Sequence, residues 1–416
     1  MQHRKLTLLS SLGAGLEYYD FVIYALLGHY LSTLFFPNHQ QATALISVFA
    51  VFALGYIVRP IGGIIFGILG DRYGRKLSFT SATLILALST VSIGLLPVYA
   101  NIGLSATICL VILRLIQGIA FGAELPGTLT FIVEHVNAHE RGLHCGILIA
   151  SVGIGASLAS LIIYLLSLAL SDHAMLHWGW RIPFLLGGIL AYVGFIIRKY
   201  ATETPLFEAN RQQGLRTHPF ITLFCEHKTA IVSGLSITLF AASLVIFVLY
   251  LPSYLKAFYR YNAHDLYLAT TVSLLWCSFI LPIVGFISDQ IGRKKLLILT
   301  SVGFIISSYY FFHILELNNP AALFSFMIIY ETFIAIFAIC YFTTLPELFP
   351  TTVRYTGVAF CYNIAYSFAG LTPSVLTYIV SKTQQTGYVT LFFSLLASLT
   401  LLAATRLPNQ RFQSLT

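Results

Sequence analysis

Long apolar segments alternate with short polar connections along the whole chain. A segment of about 18–25 apolar residues fits a helix that crosses the ~30 Å hydrocarbon core of a bilayer, because an α-helix rises ~1.5 Å per residue. We predict twelve such helices, at residues 6–36, 42–70, 77–99, 103–133, 142–170, 182–199, 230–255, 266–287, 296–315, 321–345, 355–380 and 388–407. The pattern therefore predicts an all-α membrane protein with twelve transmembrane helices.

The polar connection after the second segment recurs after the eighth. The sequence GILGDRYGRK occupies residues 67–76, and GFISDQIGRK occupies residues 285–294. A long-range repeat of this kind predicts two equivalent six-helix bundles, at residues 1–199 and 230–416, joined by a polar linker at 200–229. Two such halves with a site between them are the layout of many transporters. The candidate gating residues of the repeated loops are Gly67, Asp71, Gly74, Arg75, Asp289, Gly292 and Arg293.

Composition and charge agree with a membrane protein. The chain is 57% hydrophobic and only 9% charged, against roughly a quarter charged in soluble domains. Its net charge of +8 comes from loops on the side of the termini, while only Arg181, Lys256, Arg260 and Lys382 fall on the other side. Because Lys and Arg mark the cytoplasmic face, both termini are predicted inside. The basic balance thus indicates topology rather than a nucleic-acid partner, and a monomer in the lipid bilayer is expected.

The first predicted helix carries two carboxylates. Glu17 and Asp20 are three residues apart and share one helical face, which Tyr24 continues. Ionisable groups within a membrane are costly and usually face the bundle interior or a water-filled cavity. Two carboxylates this close disfavour joint ionisation, which suits a proton carrier. The alternative is a permanent structural pairing of both with Arg59 or Arg114.

Other polar residues fall within the predicted spans. An arginine stays charged under ordinary conditions, so Arg59 and Arg114 either bind an anionic substrate group or form permanent ion pairs. Gln117 lies one turn beyond Arg114, and Glu124 is a candidate inner station of a proton path. Glu331 is the only carboxylate deep in the second half. Several aromatic residues are candidates for the opposing wall, with core packing as the alternative: Tyr250, Tyr254, Tyr330, Tyr341, Tyr362 and Tyr366.

Motifs for catalysis, metals or nucleotides do not occur in the sequence. The six cysteines are scattered without CxxC spacing, and none of His29, His144 and His313, which fall in or near predicted helices, has metal-ligand spacing with another histidine or a carboxylate. No phosphate-binding loop or nucleophile motif is found. We therefore expect no enzymatic activity, no metal and no cofactor.

The repeated loop pattern G-x-x-x-D-x-x-G-R-[KR] resembles the signature loop of the major facilitator superfamily. A second repeat agrees with it, because Glu134 and Arg141 after the fourth helix recur as Glu347 and Arg354 after the tenth. The resemblance implies that the loop aspartate, here Asp71, caps a facing helix and pairs with loop arginines. These residues would then gate access to the site.

A narrower resemblance is carried by shorter motifs. They are EYYDF at 17–21, FFP at 35–37, RPIGG at 59–63, RLIQG at 114–118, WGWRIPF at 178–184, ETPLF at 203–207 and ELFPTTVRYTG at 347–357. These are similar to the metabolite:proton symporter family of bacterial inner membranes. That family includes importers of proline or glycine betaine, α-ketoglutarate, citrate and shikimate. Tyr18 replaces a more usual Trp, and Ala123 a more usual Gly.

From these observations we predict that the protein imports a small polar metabolite together with protons, by alternating access. Glu17, Asp20 and Glu124 are the candidates for carrying the proton. The candidates for contacting the substrate are Arg114, Tyr24, Arg59, Gln117 and Glu331. A zwitterion such as proline or betaine fits slightly better than a dicarboxylate, because only two cationic side chains lie deep in the membrane.

The alternatives are an exporter and a different class of protein. Proton antiporters that export drugs or metabolites commonly carry a glycine- and proline-rich motif in helix 5, whereas residues 142–170 lack proline. A membrane enzyme or receptor needs a catalytic cluster or a sizeable soluble domain, and the sequence indicates neither.

Overall fold

The computed structural model describes residues 2–36, 41–73, 75–122, 124–199, 219–259, 261–350, 353–383, 385 and 387–407. These residues form helices and no strands, which confirms the predicted all-α class. The helices of the first half are α1 (Gln2–Leu26), α2 (Gly28–Phe35), α3 (Gln41–Ile57), α4 (Arg59–Tyr73), α5 (Arg75–Leu95), α6 (Tyr99–Ile102), α7 (Leu104–Phe121), α8 (Glu124–His135), α9 (Arg141–Ala169), α10 (Asp172–Ala174) and α11 (Arg181–Lys199). Those that follow are α12 (Pro219–Glu226), α13 (Lys228–Phe258), α14 (Ala263–Ile291), α15 (Arg293–His313), α16 (Pro320–Glu347), α17 (Arg354–Ala369), α18 (Thr372–Thr383) and α19 (Gly387–Arg406).

Many of these helices are long and apolar enough to cross a membrane. In the described part of the chain nine spans meet both conditions, and a tenth is reached if the bent pair Asp172–Gly179 and Arg181–Ile196 is one span. The two members of that pair meet at 45°. The total of twelve and the cytoplasmic termini stay predictions.

Large apolar side chains remain exposed on the outside of the bundle. In α5, Leu88 and Leu95 are 60% and 64% exposed and lie seven residues apart, hence on one face of the helix. The same spacing recurs on two later helices, in the pairs Leu299 and Ile306, and Leu395 and Leu402. Soluble monomers rarely expose large contiguous apolar patches. These outward faces therefore suit contact with lipid tails.

Several predicted spans contain a short irregularity in the helix. The span 42–70 breaks at Val58, because Pro60 lies in the first turn of α4 and the chain before a proline avoids helical geometry. The span 355–380 breaks at Gly370 and Leu371, just before Pro373 in the first turn of α18. The spans 6–36 and 103–133 are also divided, at Leu27 and after Phe121.

Part of the predicted linker is helical in the structure. Residues 219–226 of the predicted segment 200–229 form α12, and α13 begins at Lys228. Its polar part, at 200–218, lies outside the described residues.

The two halves meet along several helix pairs. The most extensive contact between any two helices joins α9 of the first half to α14 of the second. At one end of this pair the Oγ1 of Thr271 donates to Oγ of Ser160 at 2.8 Å. Further contacts run from α17 to α3, α4 and α8, and from α16 to α8 and α9. These pairs surround the centre of the molecule, where both halves contribute side chains.

Candidate functional site

Six charged residues join the halves at the end of the molecule that carries the repeated loops. We call them the interhalf lock: Glu134, Arg141, Asp289, Arg293, Glu347 and Arg354. The Nη1 of Arg141 lies 3.1 Å from Oε1 of Glu347. The Nη1 of Arg354 lies 3.1 Å from Oε1 of Glu134. Each of these ion pairs therefore connects one half to the other. In the sequence, by contrast, each glutamate lies seven residues before an arginine of its own half.

The aspartate of the second repeated loop caps a helix of the first half. The Oδ1 of Asp289 accepts from the backbone N–H of Gly142 at 2.9 Å, and Oδ2 accepts from that of Leu143 at 3.0 Å. Both donors lie in the first turn of α9, where backbone N–H groups lack helical partners and negative charge is favourable. Arg293 adds an ion pair of 3.1 Å to Asp289 and one of 3.4 Å to Glu347. The cap and the ion pairs thus form one buried network.

The geometry of the second loop requires glycine at two positions. Gly292 joins α14 to α15 with a φ of 96°, a conformation that other residues rarely adopt. Gly285 lies against Gly142 of the first half, since a Cβ on Gly285 would come within 2.2 Å of the Gly142 carbonyl oxygen. The first allows the sharp junction, and the second allows Asp289 to reach the end of α9.

The first repeated loop is described only in its backbone. Gly74, the side chains of Asp71 and Arg75, and the surroundings of Gly67 lie outside the described residues, as does the side chain of Glu17. The gating role of the first loop and the proton-carrying role of Glu17 therefore stay predictions.

A polar cluster lies inside the first half. The Nη1 of Arg114 donates to Oε1 of Gln117 at 2.8 Å, and Nε2 of Gln117 donates to Oγ1 of Thr90 at 2.8 Å. The guanidinium carbon of Arg114 also lies 3.9 Å from the ring centroid of Tyr24. This cluster brings three of the predicted substrate-binding residues together: Arg114, Gln117 and Tyr24.

Asp20 borders the same cluster. Its side chain is fully buried. Gly187 of α11 packs against it, because a Cβ on Gly187 would lie 2.2 Å from Oδ1 of Asp20 and 3.2 Å from Cγ2 of Thr90. A carboxylate, a hydroxyl, an amide and a guanidinium are therefore gathered within one helix bundle.

Arg59 and Glu124 occupy separate positions nearby. The guanidinium carbon of Arg59 lies 3.8 Å from the ring centroid of Tyr56 and 4.5 Å from that of Phe121. The Oε1 of Glu124 accepts from Oγ1 of Thr83 at 3.2 Å. Both ionisable side chains are buried.

A central cavity of about 70 Å³ lies between the halves. Glu331 of α16 lines it, together with Tyr18 of the first half and Cys277, Tyr341, Tyr362 and Tyr366 of the second. Its remaining walls are mostly aliphatic, from α8, α9, α13, α14 and α16. Of the five predicted substrate-binding residues, all of them described, only Glu331 is among the lining residues; Arg114, Tyr24, Arg59 and Gln117 are not.

Further hydrogen bonds join the halves outside the cavity lining. The Nδ2 of Asn363 donates to the carbonyl oxygen of Gly122 at 2.9 Å. At the end of α14 away from the lock, the hydroxyl of Tyr267 donates to the carbonyl oxygen of Leu26 at 3.2 Å. A cavity of roughly 150 Å³ holds benzene, so the present volume is smaller than an organic metabolite requires. The walls must move before a substrate of that size enters.

Among the lining residues with polar side chains, Tyr18 and Cys277 were not selected from the sequence. Tyr18 belongs to the motif EYYDF, where the adjacent carboxylates carried the functional argument. Cys277 lies in an apolar helix and has the pattern of a packing residue, so its sequence context held no signal. Of the six candidate wall tyrosines, Tyr341, Tyr362 and Tyr366 line the cavity, whereas Tyr254 lines a separate cleft with Tyr259 and His313.

A family model agrees with this architecture. The model of the Major Facilitator Superfamily matches residues 10–373. The chain belongs to the Major Facilitator Superfamily, which confirms the resemblance carried by its repeated loops. It is a transporter and not an enzyme, and it is a multi-pass protein of the bacterial inner membrane.

Curated relatives and solved structures extend the comparison. The proline/betaine transporter of Salmonella typhimurium is 30% identical over 92% of this chain and 78% of its own length. The inner membrane metabolite transport protein YhjE of Escherichia coli is 32% identical over 99% of this chain and 95% of its own length. The proton:xylose symporter XylE bound to 6-bromo-6-deoxy-D-glucose superposes with a TM-score of 0.82 at 19% identity, covering 99% of this chain and 97% of the other. At that identity the likeness to XylE describes the fold.

Proposed function

We propose that the protein imports a small zwitterion, such as proline or glycine betaine, together with protons by alternating access. The observation that carries the proposal is the charge of the central cavity. Among its described lining residues there is one carboxylate, Glu331, and no cationic side chain. A zwitterion brings a positive group that favours the ionised form of this carboxyl, whereas a dicarboxylate or citrate brings only further negative groups.

The names of the relatives point to the same substrate class. One is a proline/betaine transporter, and a second is a transporter of glycine betaine, proline, ectoine and pipecolic acid from Dickeya dadantii, 30% identical over 92% of this chain and 78% of its own length. All four of these compounds can exist as zwitterions with one carboxylate. The zwitterion preference of this chain is therefore consistent with its cavity and with these names.

The proton is proposed to travel through the first half. Asp20 is fully buried beside Thr90, within the cluster that contains Arg114. A charge that is gained or lost in such a low-dielectric setting changes the energy of its neighbours strongly. Asp20 is the proposed main carrier, with Glu17 and Glu124 as further members of the path.

Uptake into proteoliposomes tests the proposal. With an acidic exterior, we expect labelled proline or betaine to accumulate, and a protonophore to abolish the accumulation. Asp20→Asn should lose the dependence on the gradient, because the amide cannot carry the proton. Asp265→Asn is the matched control, since Asp265 lies half-buried in the first turn of α14, away from the polar cluster.

Two results would contradict the proposed function. Accumulation that persists without a proton gradient would contradict proton coupling. Outward pumping of a lipophilic cation would instead assign the protein to the exporters.

A further inference from the structure

The central cavity contains a buried carboxylate that is only partly satisfied. Glu331 is 1% exposed and lies eleven residues into α16, about 17 Å along the helix and hence near the middle of a bilayer. Its carboxyl group lies beside the thiol of Cys277, which lines the same cavity. Its Oε1 atom has no hydrogen-bond partner among the described residues. A buried polar atom left in this way is costly unless a ligand satisfies it.

Tyrosine rings surround the same space. The hydroxyls of Tyr341 and Tyr366 lie 3.0 Å apart and bond to each other. The rings of Tyr362 and Tyr366 have centroids 4.3 Å apart. Tyr18 completes the group from the first half. Since two of the four hydroxyls are engaged with one another, these side chains offer the cavity mainly aromatic surface, and aromatic faces attract cations.

From these features we propose that Glu331 and the four tyrosines form a subsite for an N-methylated ammonium group. The carboxylate supplies the opposite charge, and the rings supply cation–π contact without requiring N–H donors from the ligand. The aliphatic walls from α8 and α9, including Leu125 and Ile149, suit methyl groups. The proposal rests on the proposed function and deepens it, because it assigns the positive end of the zwitterion to the second half of the molecule.

A thiol in the same wall gives a direct test. Cys277 lines the cavity and contacts Glu331, whereas Cys225 is exposed elsewhere, at α12. The purified protein is treated with N-ethylmaleimide, and alkylation at each cysteine is followed by mass spectrometry with tetramethylammonium chloride or an equal concentration of sodium chloride. Tetramethylammonium should slow alkylation of Cys277 at least fivefold and leave that of Cys225 unchanged.

Variants of the chain separate the contribution of the Glu331 charge from that of the tyrosine rings. Glu331→Gln keeps the side-chain shape and should abolish the protection of Cys277. Glu316→Gln is the matched control, because Glu316 is an exposed carboxylate of the same half that pairs with His313. Tyr366→Phe should retain protection, whereas Tyr366→Leu should weaken tetramethylammonium binding roughly tenfold.

A second readout covers the case in which Cys277 reacts too slowly to follow. Tetramethylammonium should raise the melting temperature of the wild-type protein, since a ligand that binds only the folded state stabilises it. The rise should be absent in Glu331→Gln and present in Glu316→Gln. A wild-type protein that shows neither protection nor a thermal shift overturns the subsite, and so does a Glu331→Gln variant that responds as the wild type does.

These outcomes are distinguishable from failure of the proposed function. Proton-driven uptake of betaine without any response to tetramethylammonium leaves the function standing and removes the subsite. A response to tetramethylammonium without proton-driven uptake of proline or betaine leaves the subsite standing and removes the function.

Discussion

At the scale of single residues, the interhalf lock depends on ion pairs whose two members come from different halves. Arg354 reaches Glu134 and also donates from Nε to the carbonyl oxygens of Pro346 and Phe349, each at 3.1 Å. Its guanidinium therefore fixes the loop after α16 as well as the end of α8. Breaking a buried pair by removing one partner is strongly destabilising, because the other charge is left uncompensated.

We expect Glu134→Gln or Arg354→Gln to open the lock. Cys145 is fully buried and lies within electrostatic range of Arg293 and Glu347, so its alkylation reports on opening. Each single variant should raise the alkylation rate at least about tenfold. The free-energy effect of the double variant should be smaller than the sum of the two single effects, since both single variants remove the same interaction.

Lys295→Gln is the control for this cycle. Lys295 is exposed two residues beyond Arg293, and its loss should leave the alkylation of Cys145 unchanged. Additive effects of the two lock variants would mean that Glu134 and Arg354 act independently.

The sequence predicted the members of the lock but not their partners. Glu134 and Arg141 are spaced as Glu347 and Arg354 are, so a local pair and a pair between halves have the same sequence pattern. For the cavity, the rarity of carboxylates in the second half identified Glu331. Burial depth alone placed Arg114 beside the substrate, but depth along a helix does not tell which side of that helix faces the cavity.

At the scale of the helices, α9 and α14 are joined by close backbone contact. A Cβ on Gly142 would lie 2.4 Å from the carbonyl oxygen of Gly285, and one on Gly146 would lie 2.7 Å from that of Leu281. Backbones this close leave no room for a side chain between them. The position of Asp289 against the first turn of α9 depends on this approach.

Gly142→Ala should therefore weaken closure at the lock. Overpacking typically costs about 1–3 kcal/mol, which corresponds to roughly a 5- to 150-fold rise in the alkylation of Cys145 if the closed state alone is affected. Gly194→Ala is the control, because a Cβ there has nothing within 4 Å. Equal behaviour of the two variants would contradict the role given to the contact.

Hydropathy predicted the existence and approximate ends of the helices, because a helix that crosses a bilayer must be long enough to span its hydrocarbon core. It did not predict the interruptions within four of the spans. A short break such as that at Leu27 leaves the neighbouring residues apolar, so the pattern on which the prediction depends is unchanged. The prolines at 60 and 373 were a local signal for two of the four breaks.

At the scale of the whole molecule, the two halves are held by noncovalent contacts as well as by the linker. Co-expressed fragments 1–199 and 219–416 should therefore copurify through a tag on either one. The α9–α14 contact and the lock supply the association. Gly285→Leu in the second fragment should reduce copurification, because a side chain there meets Gly142 at 2.2 Å. Fragments that fold but fail to associate would show that the noncovalent contacts alone do not hold the halves together.

The charges of the lock bear on how the membrane potential acts on this protein. The first half contributes one carboxylate and one guanidinium, and the second contributes two of each. Each side of the lock is therefore neutral by itself when its pairs separate. Moving one elementary charge through 100 mV changes its energy by about 2.3 kcal/mol. Opening these described pairs thus moves little net charge, and voltage is left to act on the proton and the substrate as they cross.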